Sequence, residues 1–399
     1  MTRLGWVGTV PGRFEVAMRV GAVGAARKRG TVGWDESWGK RNKMAKVPFT
    51  VVLSDAGEHD EGVRGTRLFW WFASNFFAYA ELGLFWFLRT YHGSEAVQLL
   101  RPSQLLDGNT RTTRWLFVGL PTRVNHQHLQ KIRFDHLVLY DSTDFHGINF
   151  DYSNREFLLS HTNICLKNWR DARWNYPFHV GLLPIKRPPI NKLQLALMRE
   201  SWRAAGRSAS RLKRYDVGFV ARPTGDLNQN PRVRWLLELR QSRPDIRLWG
   251  GLVGGKSWRK RVKLDQQQEL LDSLWLNRRK IGYFEYFAGL SQSKVALAPR
   301  GFAPWTYRHY EAIYARTVVI SNDISQCEFL IPLPQNALLQ VADNAPIVPA
   351  IESALRLYEE EPAIVDASRE ELEHWLDHGC YSRRRPDLWD RFQNELRAA

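Results

Sequence analysis

Short apolar runs alternate with segments of helical spacing along most of the chain. The apolar runs have the length of buried strands, at residues 49–53, 115–119, 136–140, 158–160, 215–221, 246–249, 295–298, 318–321 and 338–341. Apolar positions spaced three and four apart predict helices between or after them, at 125–131, 193–205, 232–241, 265–276, 283–292, 305–314, 348–360, 368–378 and 386–397. Strands that alternate with helices indicate mostly parallel sheets, so the predicted class is α/β.

The chain is long enough for two domains of ordinary size. Three prolines within residues 184–189 mark the predicted linker between them. We therefore divide the chain into four segments: a basic, Gly-rich extension (1–45), a Rossmann-like acceptor domain (46–185), a second Rossmann-like domain (186–360) and C-terminal helices (361–399). The two domains are expected to face each other across a cleft.

Residues 68–88 form an aromatic, apolar stretch that is long enough to span a bilayer. Asn75 and Glu81 interrupt it, and a central acidic residue costs about 2.5–3.5 kcal/mol on insertion scales. A buried helix of the first domain is the expected structure. Peripheral membrane contact, supported by the basic flanks Arg67 and Arg89, and a true span stay open as alternatives.

The formal net charge of +16 is unevenly distributed. Residues 1–46 hold ten Lys or Arg and three Asp or Glu, in a weakly patterned stretch that we expect to be poorly ordered and that lacks the apolar core of a secretory signal. The rest of the excess lies on Arg-rich helices, which suits a solvated face, anionic lipid or a glycan. Nucleic-acid binding is disfavoured because no recognisable module is present.

The three cysteines are far apart and match no metal or redox spacing. A sparse, odd set of this kind is typical of a reducing compartment. Together with the missing signal, it predicts a cytoplasmic protein, with peripheral membrane association as the open alternative.

The most informative segment is the strand–turn–helix–strand unit at residues 294–323. Arg300 and Gly301 lie in the turn, and Thr306, Arg308 and Glu311 follow at the predicted helix. Ligands of open α/β sheets bind outside the carboxyl ends of the strands, where helix N-termini favour phosphate. Arginines bind phosphates with charge-assisted bonds, and a carboxylate one helical turn further on is placed to accept sugar hydroxyls. The pattern favours a nucleotide diphosphate that carries ribose or a sugar.

These residues also resemble the nucleotide-sugar-binding core of exostosin-like glycosyltransferases. Pro299, Arg300 and Gly301 match the turn of that family, and Arg308, Glu311 and Ala312 match its Arg-x-x-Glu-Ala helix. Thr306 lies near the family's Ser, and Tyr307 replaces a common Phe. After the helix, Arg316 and Val319 stand where the family has Gly and Pro.

The resemblance covers somewhat under half of the chain, from about residue 215 onwards. It implies the two-domain GT-B fold, a UDP-linked donor sugar and inversion at the anomeric carbon. In that case Arg300 and Arg308 would hold the diphosphate, and Glu311 would bind ribose or sugar hydroxyls. No tightly bound cofactor is expected.

Other residues at strand ends are further candidates. Arg222 follows the strand at 215–221 and could reach the diphosphate or be a surface arginine. Glu285 and Tyr286 precede the motif and could support the nucleotide base, although core packing explains Tyr286 equally well.

Sugar transfer with inversion needs a base for the acceptor hydroxyl. Asp141 and Asp144 follow one strand of the first domain and are the leading candidates, with Asp55 and His59 after another strand as the next. No Asp-x-Asp triplet is present, which disfavours metal-dependent transfer, because arginines can supply the charge that a cation would otherwise provide.

A different function is indicated by residues 250–257, which satisfy the P-loop pattern and include Lys256 and Ser257. A dense basic run, 258–261, occupies the start of the expected helix, and the pattern leaves Arg300–Glu311 unexplained. The main hypothesis is therefore a glycosyltransferase that uses a nucleotide sugar and a glycan or similar acceptor. A P-loop phosphotransferase or NTPase and a non-catalytic polyanion- or glycan-binding protein are the alternatives.

Overall fold

The computed structural model describes residues 48–52, 80–100, 104, 111–120, 129–141, 147–148, 155–176, 179–182, 213–223, 230–255, 259, 267–276, 278, 281–301, 303–373 and 387–397. All of them belong to one compact unit, Met44–Ala399. The predicted extension (1–45), linker (184–189) and helix 193–205 lie outside the described residues, so the proposed domain boundaries stay predictions.

Two parallel sheets form the framework. The first has the strand order β2-β1-β3-β4-β5-β7 and the second β13-β11-β10-β8-β9. The strands of the first half are β1 Phe49–Val52, β2 Val97–Leu100, β3 Arg111–Leu120, β4 Ile132–Asp141, β5 Thr162–Lys167, β6 Arg170–Asp171 and β7 His179–Leu182. Those of the second half are β8 Tyr215–Ala221, β9 Leu248–Leu252, β10 Ser293–Ala298, β11 Val318–Asn322, β12 Cys327–Glu328 and β13 Leu338–Val341.

Helices cover both sheets. They are α1 Ala80–His92, α2 Arg155–His161, α3 Pro231–Ser242, α4 Gln268–Ser273, α5 Tyr283–Ser291, α6 Arg308–Tyr314, α7 Val348–Glu360, α8 Ala363–Glu373 and α9 Asp387–Arg397. The predicted α/β class, with two Rossmann-like sheets and C-terminal helices, is confirmed.

The strands of the second sheet are mostly apolar because helices cover both faces. Every residue of β11 is buried, as expected for a parallel strand inside such a sheet. On one face, α3 and α7 pack against Val295 and Ile320. On the other face, α5 and α6 pack against Ala296 and Val319. The carboxyl ends of the strands are left to the loops.

The aromatic segment 68–88 is described only from residue 80 onwards, where α1 begins. Leu84, Phe87 and Leu88 share one helical face and are buried, and α1 packs on the first sheet. The buried-helix prediction is confirmed for this part. Within the described residues, no helix has the length and apolar character needed to cross a bilayer.

The last helix packs on the first sheet, although the residues before it complete the second. Phe392 of α9 meets Phe87 edge to face, with ring centroids 5.2 Å apart, and Trp389 stacks on Tyr91 at 5.0 Å. Glu395 accepts a hydrogen bond from the N–H of Leu182 at 3.3 Å. Helix α9 therefore covers part of the first sheet.

Several predicted elements need correction. Residues 158–160 are not a strand but part of α2, and the strand β5 follows immediately. The strand predicted at 246–249 lies at Leu248–Leu252, and the helix predicted at 305–314 begins at Arg308. The helix predicted at 368–378 is α8, Ala363–Glu373.

Candidate functional site

The carboxyl edges of the two sheets meet. Strand β6 follows the end of β5, and β12 follows the end of β11; the two short strands pair antiparallel, with Asp171 opposite Cys327. The N–H of Ala172 donates to the carbonyl of Gln326 at 2.9 Å. The segments leaving both carboxyl edges therefore share one region, which is the GT-B arrangement of two Rossmann-like sheets and the place where such sheets bind ligands.

The Pro-Arg-Gly turn leaves β10 at this edge and is fixed by its backbone. The N–H of Arg300 donates to Oδ1 of Asn322 at 2.7 Å, and its carbonyl accepts from Nε of Arg232 at 3.2 Å. Gly301 donates its N–H to the carbonyl of Ala303 at 3.0 Å. The turn is thus tied to the end of β11 and to the start of α3.

The side chain of Arg300 remains accessible, with 42% of it exposed. Its Nη1 lies 2.8 Å from Oδ2 of Asp343, just beyond β13. The other carboxylate oxygen of Asp343 accepts from Nδ2 of Asn322 at 2.8 Å. Arg300 is therefore an exposed cation with one carboxylate neighbour.

Arg308 lies deeper, against the end of β8. Its Nη2 donates to the carbonyl of Val220 at 2.6 Å, and its guanidinium carbon is 5.3 Å from the ring centroid of Phe219. Its buried Nε and Nη1 make no hydrogen bond of acceptable geometry within the described part of the chain. The strand carbonyl and the ring hold the guanidinium in place beside the Tyr286 hydroxyl.

Glu311 and Tyr286 lie beside Arg308. Burial raises the pKa of the Tyr286 phenol well above its usual range, the negative charge of Glu311 raises it further, and the nearby Arg308 opposes both effects. The three side chains, from α5 and α6, therefore interact electrostatically. Arg308 and Glu311 therefore both act on the Tyr286 phenol.

The segment between the turn and α6 carries two further buried donors. Neither Nε1 of Trp305 nor the hydroxyl of Thr306 has a hydrogen-bond partner among the residues that the structure describes. Buried donors without partners are rare, and a ligand can satisfy them. These two donors directly precede Arg308 along the chain.

His309 fixes this segment from behind. Its Nδ1 lies 2.7 Å from the carbonyl of Thr306, and its Nε2 lies 2.5 Å from the hydroxyl of Ser321 in β11. Complete burial lowers the pKa of His309 to about 4, and the charge of Arg308 lowers it too, while the bond to Thr306 acts in the opposite direction. The imidazole is therefore neutral near pH 7.

Arg222 marks the end of β8, where its side chain is exposed and its carbonyl accepts from Nη1 of Arg232 at 2.8 Å. Sequence reasoning missed Arg232, Asn322 and Asp343. Asn322 ends a buried strand and could have been found by the rule that located Arg222. Asp343 could not, because its partner Arg300 is more than forty residues away along the chain.

Of the four candidate bases in the first domain, the structure describes Asp141. Asp141 is fully buried, and its carboxylate lies 2.8 Å from Nζ of the equally buried Lys167, which also donates to the carbonyl of Gly147 at 2.7 Å. A base must reach the hydroxyl that it deprotonates, so this closed ion pair argues against Asp141 in that role. Asp144, Asp55 and His59 lie outside the described residues and stay predictions.

The P-loop interpretation of residues 250–257 conflicts with the backbone. Gly250 and Gly251 belong to β9, where they pair with β8. The next three amides are already bonded, from Leu252 to Leu274 at 2.8 Å, from Val253 to Ala221 at 2.9 Å and from Gly254 to Arg278 at 3.2 Å. A P-loop uses such amides to cradle phosphate, so the described part of the segment, through Gly255, offers none of these three amides to a phosphate.

The described residues include no group of three or more His, Cys, Asp or Glu side chains that could hold a metal ion. The described candidate site is instead lined by arginines.

Comparisons with known proteins give similarity at the level of solved structures. No protein-family model matches the chain, and neither does any curated protein. The pneumococcal O-GlcNAc transferase GtfA, solved with UDP and GlcNAc, is 11% identical with a TM-score of 0.40, over 74% of this chain and 59% of its own.

Two further similar structures are a sucrose-phosphate synthase from Thermosynechococcus elongatus and a UDP-forming α,α-trehalose-phosphate synthase from Burkholderia vietnamiensis. The first is 14% identical with a TM-score of 0.46, over 72% of this chain and 75% of its own. The second is 13% identical with a TM-score of 0.44, over 84% of this chain and 81% of its own.

Proposed function

We propose that this protein is a GT-B glycosyltransferase that moves a sugar from a nucleotide diphosphate, UDP in the first instance, to a hydroxyl of a glycan or similar acceptor. One observation carries the proposal. Arg308 is fixed on the carbonyl of Val220 at a strand's carboxyl end, with Glu311 and Tyr286 beside it.

The arginines suit the leaving diphosphate. Arg308 is held by its surroundings before any ligand arrives, and such preorganised donors stabilise developing negative charge without reorganisation. Arg300, in the turn that follows β10, adds an exposed positive charge. Two guanidinium groups can take the role of a metal ion at the diphosphate, which supports metal-independent transfer.

Glu311 suits hydroxyl groups. It stands three residues after Arg308 in α6, so a ligand phosphate on the arginine would bring its ribose or sugar near the carboxylate. The donors of Trp305 and Thr306 would bind oxygens of the same ligand. The acceptor's base would come from the first sheet, from Asp144, Asp55 or His59, with inversion at the anomeric carbon.

A thermal-shift panel of UDP, GDP, ADP and ATP, with and without magnesium, tests the proposal. UDP without metal should stabilise the protein, by about 2.7 kcal/mol when its concentration is a hundred times Kd. Stabilisation by ATP with magnesium alone would favour phosphotransfer. Silence across the panel would favour a polyanion- or glycan-binding protein without transfer activity.

Substitutions at Arg308 and Glu311 give the sharper test. Arg308→Lys keeps the charge but loses the planar fork, and Glu311→Gln keeps the shape but loses the charge. Each should lower UDP-sugar hydrolysis or transfer at least about tenfold, since one charged hydrogen bond contributes about 1.5–3 kcal/mol. Arg243→Ala is the control, because Arg243 is an arginine at the end of α3 that pairs with Asp245 and Glu352. Folded variants with full activity would refute the proposal.

A further inference from the structure

The carboxylate of Asp343 forms an ion pair with Arg300, the exposed arginine of the candidate site. Its Oδ2 lies 2.8 Å from Nη1 of Arg300, and its Oδ1 accepts from Nδ2 of Asn322 at 2.8 Å. Asn322 is itself 1% exposed, and its other amide atom holds the backbone of Arg300. A hydrogen bond from Nη2 of Arg234 to the carbonyl of Asp343 fixes the main chain. Asn322 of β11 and Arg234 of α3 thus hold Asp343 next to Arg300.

This ion pair differs from a structural one in its exposure. The side chains of Arg300 and Asp343 are 42% and 45% exposed, whereas those of Lys167 and Asp141 are 0% exposed. An exposed pair is weak, and its partners exchange readily with solvent and ligands. Carboxylate and phosphate oxygens use the same guanidinium donors. A ligand phosphate at Arg300 must therefore share the cation with Asp343 or displace it.

We propose that Asp343 determines specificity by competing with anionic ligands for Arg300; this rests on the proposed function. A sugar-linked diphosphate carries two negative charges, whereas the free nucleoside diphosphate and pyrophosphate each carry nearly three near pH 7. The fixed carboxylate repels each ligand according to its charge. It therefore disfavours the free diphosphate relative to the donor and promotes release of the product after transfer.

The test is titration calorimetry on the full chain with pyrophosphate, UDP and UDP-glucose at low salt. Asp343→Asn keeps the shape of the side chain and removes its charge. Its affinity for pyrophosphate and UDP should rise about five- to tenfold, with a smaller rise for UDP-glucose, and the gain should shrink at high salt. The product should also become a stronger inhibitor of transfer.

Asp245→Asn is the matched control, because Asp245 pairs with Arg243 at 2.7 Å and is 64% exposed, just before β9 and hence at the opposite edge of the sheet. It should leave all three affinities unchanged. Asp343→Ala is a second variant, which also removes the bond to Asn322. The melting temperatures of all variants are measured alongside.

The results separate this inference from the proposed function. If the wild type binds UDP, Arg300→Ala weakens that binding and both Asp343 variants match the wild type or bind more weakly, then the competition is refuted and the glycosyltransferase proposal stands. An equal gain for all three ligands would also refute the charge discrimination. If the wild type binds none of the three, both proposals fail.

Discussion

Arg316 has a left-handed backbone conformation that a glycine would adopt more easily. Its φ is 59°, and among the described residues it is the only non-glycine with a positive φ. It follows the C-cap of α6, the position where helices most often end in glycine. The exostosin-like family has glycine there. We therefore predict that Arg316→Gly is more stable than Arg316→Ala.

The magnitude follows from two opposing effects. A left-handed conformation costs a residue with a Cβ about 1–2 kcal/mol, and glycine loses about 0.5–1 kcal/mol through its greater freedom in the unfolded chain. The net advantage of glycine over alanine should be about 0.5–1 kcal/mol. Both variants lose the ion pair between Nε of Arg316 and Oδ1 of Asp366 at 2.8 Å, so its contribution cancels.

Urea denaturation followed by tryptophan fluorescence measures the difference, since the slope m should not change and the midpoint reports stability. The comparison is repeated with Asp366→Asn, where the ion pair is absent from every variant. The gap between glycine and alanine should persist in that background. An alanine variant as stable as the glycine variant would refute the reasoning, because the strain at φ 59° would then be too small to measure.

Two further predictions concern buried ionisable groups. The pKa of His309 falls from 6.5 to about 4 on folding, so the unfolded chain binds more protons between these values and the protein loses roughly 3 kcal/mol as pH falls from 6.5 to 4. His309→Gln should flatten the free energy of unfolding over that window, and a slope equal to that of the wild type would contradict the buried neutral imidazole. Lys167→Met leaves the buried carboxylate of Asp141 without its cation. The free energy of unfolding, measured by urea denaturation, should fall by about 3–5 kcal/mol. Adding Asp141→Asn should restore at least half of that loss; failure to do so would contradict the pairing.

Local patterns were sufficient for some elements. The strand β8 and the helix α7 have the predicted bounds, Tyr215–Ala221 and Val348–Glu360. A parallel strand covered on both faces is a continuous apolar run, and a proline near the first turn marks a helix start. Both signals lie within the element itself.

Other elements depend on distant parts of the chain. In β9 the two glycines are part of the strand because neighbouring backbone comes close; a Cβ on Gly250 would lie 2.0 Å from the carbonyl oxygen of Phe219, and one on Gly251 would lie 2.4 Å from that of Leu274. In sequence, glycines at these positions are typical of a loop. The strand β5 was missed since it ends in Lys167, whose burial depends on Asp141, 26 positions earlier.

In the candidate site, too, some residues follow from local sequence signals and others depend on distant parts of the chain. Arg300, Arg308 and Glu311 were predicted because they follow a strand in one short segment. Asn322 ends a strand and was open to the same rule, whereas the contact of Asp343 to Arg300 arises from the order of β10, β11 and β13 in the sheet. Residue types at strand ends can be predicted locally, whereas their partners require the topology.

The position of α9 has a consequence for biosynthesis. A ribosome releases the strands of the first sheet long before residues 387–397, which bury Phe87 beneath Phe392. Until α9 has been synthesised and has docked, the part of this aromatic surface that Phe392 covers stays exposed. A pause of the ribosome before residue 387 should therefore prolong the exposure of this surface.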